Sequence, residues 1–122
     1  MTTEAEIEQE IQAKGLTAPR ITPEHVDGVI ASEFYFTAGE GVLGASELGT
    51  RPAGKAESLN RLTICVLVLR NGFTVTGESA CASPENFNAE TGRKIARANA
   101  RDKIWALEGY ALRQKLHEQN QA

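Results

Sequence analysis

The chain has 122 residues, 41% of them hydrophobic and 24% charged, with a formal net charge of −3, which fits one ordinary folded domain and is too short for two. Aromatic residues make up only 6%, so a modest core is expected, with assembly into an oligomer helping to bury the remaining apolar surface. No apolar run approaches the roughly 20 residues of a membrane span, and the acidic opening MTTEAEIEQEIQAK is not the basic-then-apolar order of a signal peptide, so a cytoplasmic protein is expected.

Thr3 and Glu6 have capping-box spacing and Gly15 is placed to stop a helix anchored by Ile7 and Ile11. This first helix is polar enough to be a peripheral arm, residues 1–20. Thr22-Pro23-Glu24 opens a second helix, cap then proline at the first position, with Val26 and Ile30 as its buried stripe. It should run into a strand over residues 33–37. Residues 38–58 contain five glycines and Pro52 with little periodicity, which predicts a long Gly-rich loop acting as a flap or left disordered. No GK[ST] follows Gly39-Glu40-Gly41, so a phosphate-cradling fingerprint is not formed.

Residues 61–69 and 73–80 are β-rich runs flanking Asn71-Gly72, the signal for a two-residue type I′ hairpin. In that register Val68 faces Val75, Val66 faces Gly77 and Ile64 faces Ser79. The first of these strands is apolar on both faces and should lie centrally; Gly77 leaves room for a helix or another chain to pack closely. The same register sets Cys65 against Glu78 and Cys81 against Leu62, on opposite sheet faces, which argues against a disulfide. Two free thiols fit a reducing compartment, and neither has metal-site spacing.

The last third of the chain carries the richest pattern. Ser83-Pro84 and Asn88 both offer helix starts, with a short turn over residues 84–89 preceding the main helix, which is expected to continue through Gly109. Counted at 100° per residue, Ala98, Trp105, Leu112 and Leu116 form one apolar face and Ala96, Ala100, Ile104, Leu107 and Ala111 another. Asn99, Lys103, Tyr110 and Arg113 line one flank between them; Arg93, Arg97 and Arg101 climb the other. Residues 91–115 hold seven Lys/Arg against Asp102 and Glu108, while residues 1–14 hold four Glu and one Lys. That asymmetry suits a modest anionic partner, with a solvated helix face as the plain alternative.

Chemistry is weaker than binding in this chain. Cys81 at a strand–helix junction is a candidate nucleophile but reads more simply as a small packed cysteine; His117 suits a helix C-terminus without any function, and His25 has no assignable partner. No acid–base constellation emerges, no metal or cofactor is expected, and the chain is not read as an enzyme. Phe87, between Asn86 and Asn88, can stack on a nucleobase or staple the helix entrance to the sheet. Asn99 can pair with an adenine edge, Lys103 and Arg113 can meet phosphates, Tyr110 can stack or donate a hydrogen bond, and Arg61 can reach a ligand at the sheet edge. Trp105 is assigned to the core.

The run NGFTVTGESAC, then PENF, GRKIARANA, KIW and LEGYALR, resembles a family of small tailed-phage proteins that includes the first type of Thoeris anti-defence protein, a sponge for cyclic ADP-ribose signals. The resemblance covers about residues 21 to 116; the first helix is outside it and the Gly-rich segment is longer than usual. It implies a homo-oligomer that holds glycocyclic ADP-ribose, and in some relatives cyclic di- or trinucleotides, without cleaving it, so that the Thoeris effector is never activated. By motif order it implies Phe87 as adenine stacker, Asn99 as a pocket hydrogen-bonder, and Arg61 and Arg113 as phosphate or cyclic-oligonucleotide contacts.

The expected molecule is therefore α+β: an arm over residues 1–20, one domain over residues 21–118 with about three antiparallel strands and a long C-terminal helix, and a tail over residues 119–122. Its ligand site is expected at Arg61, Phe87, Asn99, Lys103, Tyr110 and Arg113, between subunits joined by helix–helix contacts. The competing reading is a phage regulatory or nucleic-acid-binding oligomer using Arg93, Arg97 and Arg101 as a phosphate-tracking stripe.

Overall fold

The computed structural model describes residues 3–45 and 56–121. In chain order these form α1 (Glu4–Ala13), α2 (Pro23–Gly28), β1 (Ile30–Thr37), α3 (Ala38–Ala45), α4 (Ala56–Leu59), β2 (Leu62–Leu69), β3 (Thr74–Ala80), a 3-10 turn (Pro84–Asn86) and α5 (Ala89–Gln119). The architecture is α+β, with an antiparallel sheet ordered β1-β2-β3. β2 is central, as its two apolar faces require.

The helix starts follow local chemistry. Thr3 Oγ accepts from the Glu6 amide and Thr22 Oγ from the His25 amide, each satisfying a donor that has no intrahelical partner. Gly15, at φ 67°, ends α1 in the left-handed region. The expected loop over residues 38–58 is corrected in part: α3 and α4 occupy its two ends, and residues 46–55 fall outside the described residues. α3 forms because Thr37 and Glu40 make a reciprocal capping box, Thr37 N donating to Glu40 Oε1 at 2.9 Å and Glu40 N to Thr37 Oγ1 at 3.1 Å. Two of its glycines permit close packing: a Cβ on Gly39 would overlap the Asn60 side chain and one on Gly41 would sit 3.2 Å from the Phe36 ring.

The hairpin register is also corrected. Val68 pairs with Thr74, Leu67 with Val75, Cys65 with Gly77 and Ile64 with Glu78, one residue away from the two-residue-turn expectation. Leu69 N donates to Phe73 O and Gly72 N to Leu69 O, leaving Arg70, Asn71 and Gly72 as a three-residue loop with Gly72 at φ 88°. A type I turn closed by a left-handed glycine uses the same Asn-Gly pair as a type I′ turn but adds one residue. Arg61 O accepts from Cys81 N, so Cys81 lies at the register position that shares its face with Cys65, not the opposite one. The thiols are nonetheless free: four residues along a strand separate them by about 13 Å.

α5 packs over the odd-numbered face of β2. Cys65, Leu67, Leu69 and Val75 from the sheet, Ala96, Ala100 and Ile104 from α5, and Val26 from α2 form the core. Small residues at 96 and 100 let the helix lie almost on the backbone of β3: a Cβ on Gly77 would overlap the Ala100 amide nitrogen and the Ala96 carbonyl oxygen. The even-numbered face of β2 is only half buried and Phe34 beside it is exposed. Beyond Ile104, α5 has no buried residue among those described; Leu107 and Tyr110 are exposed and Leu112 and Leu116 half buried. Trp105 packs against the core.

Ion pairs attach α1 to this body. Arg101 donates to Glu4 at 2.7 and 2.9 Å and to Asp27 at 2.8 Å, while Arg20 grips Glu8 at 2.7 and 2.6 Å. The apolar side of α1, Ile7 and Ile11, lines a cleft with Ile21 and Trp105. Arg20, then Gln12, hold the Glu8 carboxyl at about 2 in place of 4.5. Because the folded value is the lower one, this contribution is complete above pH 4.5 and is lost as pH falls through about 2. The Arg101 guanidinium likewise holds Asp27 below the usual carboxylate range. Trp105, the single tryptophan, should therefore shift its emission to the red across this acid window as α1 loosens, and Arg20→Gln should bring the shift at neutral pH. Emission that stays constant from pH 7 to 2 would show that these pairs do not hold the arm.

Candidate ligand site at the start of helix α5

The site is built where β3 hands the chain to α5. Ser83 makes no side-chain cap bond; the Pro84–Asn86 turn ends at Phe87, whose amide donates to Pro84 O. Asn88 then caps the long helix, its Oδ1 accepting from Thr91 N at 2.9 Å and its carbonyl from Gly92 N. That leaves the amides of Ala89 and Glu90, at the positive end of a 31-residue helix, without partners among the described residues.

Phe87 stands between two clefts. The one on the β3 side, about 200 Å³, is lined by Arg61, Cys81, Phe87, Asn88, Gly92 and Ile95 among others. The one on the α3 side, about 350 Å³, is lined by Tyr35, Phe36, Thr37, Glu40, Thr63, Phe87, Ala89 and Arg93. Gly92 is what seats the helix here, since a Cβ on it would lie 2.8 Å from Thr63 Oγ1 and 3.9 Å from the Phe87 ring. Tyr35 is held protonated, its phenol pushed up to about 12 by desolvation and by donating to Glu33 at 2.9 Å. Burial likewise raises Cys65.

The six residues expected to form the site divide into two groups. Arg61 and Phe87 come together in the β3-side cleft. The Arg61 fork is already engaged: Nε and Nη2 donate to the Glu57 carboxylate at 2.8 and 3.0 Å, and Nη1 to the carbonyls of Cys81 and Ala82 at 2.8 Å each. It braces the β3–α5 connection, and any ligand anion there competes with Glu57. Asn99 Nδ2 donates to Glu78 O on the edge of β3 at 2.9 Å. Lys103, Tyr110 and Arg113 continue along the same exposed stretch of α5. Asn99 and Arg113 share a flank, about 40° apart around the axis, but at 1.5 Å rise they are separated by about 21 Å along it, so one protomer does not gather them around Phe87.

The arginine stripe is dispersed as well. Arg97 pairs with Glu33 at 3.0 Å and Arg101 with Glu4 and Asp27, each raised in pKa by its carboxylate partners. Arg93 has no partner among the described residues and opens into the α3-side cleft. His25 does have a partner, Glu108 Oε1 at 2.7 Å, supplied by a helix turn that is distant in sequence. Cys81 Sγ donates to Ser83 O at 3.2 Å. Thr63 and Glu40 line a cleft without being among the six expected residues. The Thr37–Glu40 capping-box spacing is present in the sequence; Thr63 carries no local signal, because it enters the site only through strand register.

One helix laid on one face of a three-stranded sheet, with clefts on both sides of an aromatic ring at the helix start, defines a small α+β domain with two recesses at a helix N-terminus. The chain belongs to the phage protein (N4 Gp49/phage Sf6 gene 66) family, whose model matches residues 21–116. That span contains both clefts and excludes α1. No curated protein and no solved structure matches the chain. Among the described residues no helix is long and apolar enough to cross a membrane, and no group of three or more His, Cys, Asp or Glu is arranged to hold a metal ion.

Proposed function

We propose that this phage protein binds and sequesters a cyclic ADP-ribose-type immune signal, such as glycocyclic ADP-ribose, without cleaving it, and so blocks activation of a Thoeris effector. The observation that carries the reading is Phe87, a half-buried ring held at the start of a long helix with recesses on both sides and unpartnered amides beside it. A purine stacks on such a ring, and the pyrophosphate takes amides and guanidinium groups. The β3-side cleft, about 200 Å³, is below the roughly 300–1,000 Å³ of ordinary ligand pockets. A second protomer completes it, bringing Tyr110 and Arg113 of its own α5, about 4.5 Å apart along the helix, toward Phe87. The exposed apolar residues on the outer half of α5 are available for that contact.

Isothermal titration of glycocyclic ADP-ribose, followed by recovery of the ligand after heating, tests the reading. A sponge returns chemically unaltered ligand; a hydrolase returns products. Light scattering after size-exclusion chromatography should give a dimer or larger assembly, and a monomer that still binds with full affinity would remove the shared-site part of the proposal. The nucleic-acid reading has less support, because two of the three arginines in its stripe are already paired. It requires affinity to fall steeply with salt as counterions are released, whereas affinity for a small nucleotide in the clefts should fall far less between about 50 and 200 mM salt.

A further inference from the structure

We infer that the α3-side cleft is a separate pocket for a nucleoside monophosphate, with the phosphate held by Arg93, the Thr63 hydroxyl and the Ala89 amide. Thr63 is the observation that points to a ligand. It is 3% exposed and is the buried polar residue among the described residues of an otherwise apolar interior. Its hydroxyl has no hydrogen-bond partner among the described residues, yet no fully buried side-chain polar atom is left unsatisfied there. Its remaining accessibility therefore opens into the cleft it lines. A threonine hydroxyl that meets the cleft and no protein group has its donor and acceptor positions free for whatever the cleft holds.

The surroundings specify what that is. A Cβ on Gly92 would stand 2.8 Å from Thr63 Oγ1, so the hydroxyl lies against the first turn of α5 only because residue 92 has no side chain. Ala89 and Arg93 are four residues apart on one helix face and both line the cleft, which places an unpaired guanidinium beside the first turn of α5, where the Ala89 amide has no partner among the described residues. Two directional donors, one hydroxyl and the helix dipole suit a phosphate oxygen set. The lining also includes Glu40, whose Oε1 accepts from the Thr37 amide, and its negative charge disfavours a bare anion on that side. A ribose diol donates to that carboxylate where an anion would be repelled. Phe36 and Phe87 give the base its apolar walls, and about 350 Å³ lies at the small end of ligand pockets, mononucleotide rather than dinucleotide in scale.

Titration of the full chain with 5′-AMP, adenosine and inorganic phosphate, read by calorimetry and by backbone amide shifts, tests this directly. AMP should bind and move the Ala89 and Glu90 amide signals, with adenosine and phosphate each at least about tenfold weaker. Arg93→Ala and the isosteric Thr63→Val should each weaken AMP by about tenfold or more while leaving adenosine unchanged. AMP that fails to bind, or that binds both variants as it binds the unsubstituted chain, overturns the inference; Thr63→Val keeps the test valid if Arg93→Ala folds poorly. Glycocyclic ADP-ribose titrated in parallel separates the two readings. Retained sponge binding without AMP binding removes this pocket alone, and Arg93-dependent AMP binding without sponge binding removes the sequestration reading alone.

Discussion

Gly77→Ala is expected to be among the most damaging single-methyl additions in this protein. The added Cβ meets the Ala100 amide and the Ala96 carbonyl and lies 2.9 Å from Ala100 Cα. Backbone cannot rotate away as a side chain can, so α5 must lift from β3 along the seam that buries Ala96, Ala100 and Ile104. Overpacking typically costs about 1–3 kcal/mol, and contact with backbone on an inflexible helix places this variant at about 3 kcal/mol or beyond. By the usual entropy of unfolding the melting temperature should fall by about 10 °C or more. Gly109→Ala supplies the contrast: nothing lies within 4 Å of the added methyl, and alanine is the better helix former by about 1 kcal/mol. It should raise the melting temperature. Equal effects at the two positions, measured by calorimetry, would mean that α5 does not press on β3 as described.

Phe87→Ala is expected to have the largest effect on ligand binding. Base–aromatic stacking contributes about 1–3 kcal/mol per base, so affinity for glycocyclic ADP-ribose should fall by about 5- to 150-fold. Phe87→Tyr keeps a π face and should stay close to the unsubstituted chain. Since the ring walls both clefts, AMP binding should weaken along with the cyclic ligand, whereas Arg93→Ala acts on AMP. Thermal melts of both Phe87 variants distinguish lost stacking from a loosened helix entrance: an unchanged melting temperature with lost affinity assigns the ring to the ligand. Full affinity in Phe87→Ala would leave the ring as a staple between the helix entrance and the sheet.

Elements governed by neighbours in sequence are legible in the residues themselves. Thr3, Thr22 and Asn88 each cap the helix that follows, and the helical period of the last third continues unbroken through Gly109. Central placement of β2 follows from its two apolar faces, and the closeness of Gly77 to a helix from its missing side chain. The hairpin register differs by one residue from the expected one because Asn-Gly serves both a two-residue turn and a three-residue loop with glycine in the left-handed position. The start of α3 is hidden from a reading of periodicity because its glycines obscure a capping box.

The site divides along the same boundary. The local run from Pro84 to Gly92 determined a helix entrance with Phe87 at its mouth, because caps and turns depend on groups only a few residues apart. Which arginine is free could be decided only by the tertiary structure. Arg97 and Arg101 are paired by Glu33, Glu4 and Asp27, carboxylates up to 97 residues away in the chain; Arg61 is occupied by Glu57 and two carbonyls. Helical periodicity gives the direction in which a side chain leaves its own helix; what it meets depends on packing between distant elements, and that is why Arg93 and Thr63 face one cleft while Asn99 and Arg113 lie about 21 Å apart on the same flank.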